Sequence, residues 1–93
     1  MQTQDSSTEV TFHYIDGKAE SFDIPVTPEA FATQLQDLLK QPMLTLHLFD
    51  KTVFICTTQI IKVEVKPPVT EVQGQGIFDN VQLITALSHG SPV

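Results

Sequence analysis

The residues with types suited to chemistry are Cys56, the chain's one cysteine, and three histidines, His13, His47 and His89. A thiol with His47 or His13 as its base would be a nucleophile, provided that a cation or a helix terminus stabilised the thiolate. Cys56 instead lies inside the β-rich run Thr52-Val53-Phe54-Ile55-Cys56, away from any basic cluster. If facing residues across the hairpin at Asp50-Lys51 have numbers summing to 101, Thr45 faces Cys56 and His47 faces Phe54, so that His47 and Cys56 are only diagonal. That spacing predicts a small buried thiol beside a partly exposed histidine. The same four residues are too dispersed for the close ligand pairs of a zinc site. Asp16, followed by Gly17, reads as turn chemistry, and Asp79 as the cap of a short helix. Gln73-Gly74-Gln75-Gly76 has no following lysine and no parallel strand–helix–strand setting, so it reads as a joint and not as a phosphate loop. The expectation is a non-enzymatic chain with no catalytic residue, metal or cofactor.

The elements that would carry these residues follow from periodicity. Val10, Phe12 and Tyr14 alternate along a strand from Glu9 to Ile15 that runs into Asp16-Gly17 and returns from Lys18 to Ile24. A two-residue turn would put Phe22 and Ile24 on the face opposite Val10, Phe12 and Tyr14. A three-residue loop, Ile15-Asp16-Gly17 with Gly17 left-handed, pairs Tyr14 with Lys18 and gathers all five on one side. Thr27 and Pro28 start a helix that runs to about Lys40, with Phe31, Leu35, Leu38 and Leu39 on one face and Pro42 beyond its end. Strands follow at Met43 to Phe49, Thr52 to Cys56 and, after a bend at Thr57-Thr58-Gln59, Ile60 to Lys66, where Ile61, Val63 and Val65 alternate and Pro67-Pro68 stop the run.

The predicted fold is α+β in β-β-α-β-β-β order: an antiparallel sheet of four to five strands, one amphipathic helix packed on one face, and a C-terminal tail. Residues 1–8 read as a polar, disordered start without signal-peptide character, 9–68 as the core domain, and 69–93 as a tail. In the tail, Ile77, Val81 and Ile84 fit a helix from about Asn80 to Ser88, while Val81, Leu83, Thr85 and Leu87 fit a strand. Phe12, Phe22, Phe31, Leu35, Leu38, Leu46 and Ile55 are the expected core.

Composition narrows the partners. Five lysines, no arginine and eleven carboxylates give a formal charge of −6, which disfavours nucleic acid and an anionic membrane surface. No apolar run is long enough for membrane insertion, and a single cysteine fits a reducing, cytoplasmic setting.

The informative feature is the second face of the sheet. With Leu44, Leu46, Leu48, Val53 and Ile55 turned to the helix, Met43, Thr45, His47, Phe49, Phe54 and Cys56 turn away, an apolar set for a solvent face. Either the tail folds back over it, or it binds a partner protein or a second copy of the chain. Met43, His47, Phe49, Phe54 and Cys56 are accordingly the expected interaction face of a protein-binding or assembly module. The alternative is a small-molecule-binding regulator with His47 and Cys56 as polar contacts.

The run from Tyr14-Ile15-Asp16-Gly17-Lys18 through Pro42-Met43-Leu44-Thr45-Leu46-His47-Leu48 to Lys62-Val63-Glu64-Val65-Lys66-Pro67-Pro68 resembles small conserved proteins of cyanobacteria that lack an assigned function. That resemblance transfers no site residue. The hairpin with Asp16-Gly17-Lys18, then helix, then strands, is also similar to the LytTR-type DNA-binding domain, whose basic His-Arg-Ser stretch is missing here.

Overall fold

The computed structural model describes residues 7–69 and 74–84. The elements are β1 (Thr8–Tyr14), β2 (Ala19–Ile24), α1 (Pro28–Lys40), β3 (Met43–His47), β4 (Thr52–Cys56), a 3-10 turn (Thr57–Gln59) and β5 (Ile60–Lys66), an α+β fold in the expected order. The strands do not form one sheet. They divide into a three-stranded antiparallel sheet, β2-β1-β5, and a two-stranded hairpin, β3-β4. Among the described residues no helix is long and apolar enough to cross a membrane.

The first hairpin has the bulged loop that parity demands. The Tyr14 N–H donates to the Lys18 carbonyl at 2.9 Å, the Gly17 N–H to the Tyr14 carbonyl at 3.0 Å, and Gly17 has φ +90°. The Asp16 carboxylate accepts from the Lys18 N–H at 2.9 Å, which fixes the turn. The register Val10↔Phe22 and Thr8↔Ile24 follows, and Val10, Phe12, Tyr14, Phe22 and Ile24 all pack on the core. A Cβ at Gly17 would meet nothing within 4 Å, so the cost of a side chain there is conformational and not steric. Gly17→Val should therefore destabilise by roughly 1 kcal/mol or more, beyond any effect of Lys18→Val, in urea midpoints compared side by side.

One boundary and one register differ from expectation. Thr8 is wholly buried and not part of a loose start, because its Oγ1 donates to the Val26 carbonyl at 2.6 Å and ties β1 to the segment leading into the helix. In β5 the partner of Tyr14 is Ile60 and that of His13 is Lys62, so Ile61 is an extra, bulged residue. Ile60 consequently joins Val63 and Val65 on the core side, and Ile61 stands exposed.

Helix α1 begins where its cap chemistry places it. Thr27 Oγ1 accepts from the Ala30 N–H at 3.1 Å, and Pro28 occupies the first turn. Phe31 is buried, Leu35 and Leu38 are half-buried, and Leu39 lies at the exposed margin of the stripe. Val10, Phe12, Phe31, Leu44 and Ile55 form the buried centre, drawing on both sheets and the helix. Of the expected core, Phe12, Phe31 and Ile55 are buried, while Phe22, Leu35, Leu38 and Leu46 are half-buried around them.

Candidate interaction face

The β3-β4 hairpin turns one residue earlier than its sequence implies. The Leu48 N–H donates to the Lys51 carbonyl at 2.7 Å, which centres the turn on Phe49-Asp50. Facing residues are Met43↔Cys56, Thr45↔Phe54 and His47↔Thr52, so their numbers sum to 99, not 101. A shift of two preserves which side chains share a face but changes their partners. Leu44 and Ile55 remain buried inward, with Leu46 and Val53 beside them. Met43, Thr45, His47, Phe54 and Cys56 share the outer face, and Phe49 projects from the turn.

That outer face is open. Met43 is 46% exposed and Phe54 63%, and Phe49 is fully exposed at the tip. Cys56 is exposed too, not buried as expected, because no described residue roofs the strand end it occupies. The described part of the tail is no roof. Gly74 to Gly76 form a turn, Asn80 has φ +59°, residues 81–84 are neither helix nor strand, and Ile77, Phe78, Val81, Leu83 and Ile84 are all exposed. The expected helix or strand would extend over Thr85 to Ser88, outside the described residues.

The structure separates the candidate chemical groups. His47 Nδ1 is 3.1 Å from Thr52 Oγ1, at the turn end of the hairpin, while Cys56 faces Met43 at the other end. Cys56 borders a shallow cleft of about 260 Å³ with Tyr14, Asp16, Glu20, Phe54 and Gln59, none of them a cation that could hold a thiolate. Tyr14 donates its hydroxyl to Glu20 Oε1 at 2.8 Å. Burial, then the hydrogen bond to Glu20 and the charges of Glu20 and Asp16, push its pKa up to about 12, making the phenol a donor and not a base near neutrality. His13 lies on the far side of the three-stranded sheet, its Nε2 2.7 Å from Glu64 Oε1. That hydrogen bond, with help from Lys62, holds the Glu64 carboxyl below the usual carboxylate range. Among the described residues no three of His, Cys, Asp and Glu come together as a metal site would require, and His89 lies outside them.

One feature had no sequence signal. A cleft of about 490 Å³ separates β2 from β3 and is lined by Ser21 to Pro25 on one wall and Thr45 to Phe49 on the other. Comparison with protein-family models, curated proteins and solved structures finds no match to this chain.

Proposed function

We propose that this protein is a non-enzymatic binding or assembly module that engages a partner protein through the outer face of β3-β4, with Met43, Phe49 and Phe54 as apolar anchors and His47 and Cys56 at its two ends. The observation that carries the reading is the joint exposure of Met43, Phe49 and Phe54 on one hairpin whose opposite face is core. Aromatic residues and methionine are the types enriched at protein interfaces, and an exposed cluster of them on a sheet favours association. The face carries no lysine, and the chain's net charge of −6 opposes phosphate-bearing partners. The alternative, a small-molecule regulator gripping its ligand with both His47 and Cys56, is weakened by the hairpin register, which puts them at opposite ends.

The test compares the wild-type chain with a Phe49→Ser/Phe54→Ser variant, by cross-linking recovery from cell extract and by sedimentation of the pure protein. Both side chains are exposed, so the variant should keep its unfolding free energy to within about 0.5 kcal/mol. Partner recovery or self-association should weaken by about thirtyfold or more, as expected when an aromatic anchor worth about 2 kcal/mol is removed. A wild-type chain that stays monomeric and recovers the same proteins as the variant would overturn the proposal.

A further inference from the structure

The backbone at the β2-β3 cleft points to a particular kind of partner. In an antiparallel ladder, the N–H and C=O groups of alternate residues turn to opposite edges of the strand. The Tyr14 N–H to Lys18 carbonyl bond sets the phase in β2: Glu20, Phe22 and Ile24 bond to β1, and Ser21 and Asp23 turn their backbone groups to the open side. The Leu48 N–H to Lys51 carbonyl bond does the same in β3: Leu44 and Leu46 bond to β4, and Met43, Thr45 and His47 turn theirs away from it. β2 and β3 belong to separate sheets and share no ladder. Ser21 and Asp23 on one wall of the cleft, and Thr45 and His47 on the other, thus present two rows of backbone donors and acceptors that no ladder among the described residues uses.

We infer that this cleft receives one extended segment of a partner protein, added as a strand that hydrogen-bonds to β2 and β3 and joins the two sheets. Only an extended backbone offers donors and acceptors to both sides at the strand repeat, which is what two open edges require. The side chains specify the guest further. Phe22, Ile24, Leu46 and Leu48 are half-buried beneath the cleft, so every second guest residue should be apolar. Asp23 is the one carboxylate among the lining residues and no lysine accompanies it, so an outward guest position should be cationic. A second copy of the chain could supply one of its own described strands only by breaking the ladder that strand already belongs to. The described part of the tail does not line the cleft.

This inference deepens the protein-binding reading and rests on it, and the test keeps the two apart. A displayed library of random decapeptides is selected on the full chain, and recovered peptides are resynthesised with and without N-methyl groups on alternate amides. The expected result is a set alternating apolar with polar or cationic residues, which shift and protect the backbone amides of Ser21, Asp23, Thr45 and His47. N-methylation should weaken binding by about tenfold or more, since it removes the ladder hydrogen bonds and leaves the side chains. Recovery of no peptide, or binding indifferent to N-methylation, overturns the inference. Shifts confined to Met43, Phe54 and Cys56, none of which lines the cleft, overturn it too, while leaving the outer-face reading intact. A Thr45→Pro chain, lacking one free edge N–H, should lose the peptide while keeping its circular dichroism; unchanged affinity there also counts against a strand.

Discussion

Phe12→Ala is expected to cost about 3–5 kcal/mol, a loss that a domain of this size, stable by about 5–14 kcal/mol, barely survives. Phe12 is 1% exposed at the middle of the central strand, opposite Glu20 in β2 and Val63 in β5. Its ring packs against Phe22 at 6.1 Å between centroids with the planes tilted by 53°, an arrangement that adds to the burial itself. The strand is hydrogen-bonded on both sides, so the backbone cannot collapse to fill the void. Urea denaturation measures this directly, and a loss below about 1 kcal/mol would mean that the three layers do not meet at Phe12.

The second large effect is expected at Ile55. The β3-β4 hairpin has no ladder to the three-stranded sheet, and its attachment rests on Leu44 and Ile55, with Leu46 and Val53 around them. A polar tie closes the hairpin's own base without attaching it to the other sheet: the buried Thr57 donates its hydroxyl to the Gln41 carbonyl and its N–H to the Pro42 carbonyl, holding the end of β4 to the start of β3. Ile55→Ala should cost about 2–5 kcal/mol. Its signature should be local as well as global. Amide exchange ought to accelerate across β3 and β4 well before β1 and β5, because the side-chain contact removed is the one that keeps the hairpin docked. Uniform acceleration across both sheets would show that the hairpin is not a separate unit of stability.

Much of the fold was legible in the sequence, and the gaps have physical causes. Element order, the Thr27 cap and the three-residue first loop follow from local rules, and parity alone assigned Val10, Phe12, Tyr14, Phe22 and Ile24 to one side. The second hairpin was less legible because Phe49-Asp50-Lys51 contains no glycine to mark a turn, so the register was misplaced by two while the faces stayed correct. The Ile61 bulge left no trace, since an isoleucine pair at 60 and 61 satisfies either phase. The division into two sheets depends on pairings between distant segments, which periodicity does not encode. The outer-face residues could be named from alternation, but the β2-β3 cleft could not, because it consists of backbone groups left unpaired.

The edges of the two sheets also differ in how they are defended. β2 carries Glu20 and Asp23 and β5 carries Lys62, Glu64 and Lys66, whereas β3 and β4 carry no Asp, Glu, Lys or Arg. Charged side chains are the usual protection of an open strand against edge-to-edge aggregation. Colloidal stability of the hairpin therefore falls to the long-range repulsion of a net charge of −6. Molar salt shortens that repulsion to about 3 Å, and acid removes its carboxylate source. The protein should be kept dilute, near neutral pH and at low ionic strength if its two bare strands are to remain accessible to anything but each other.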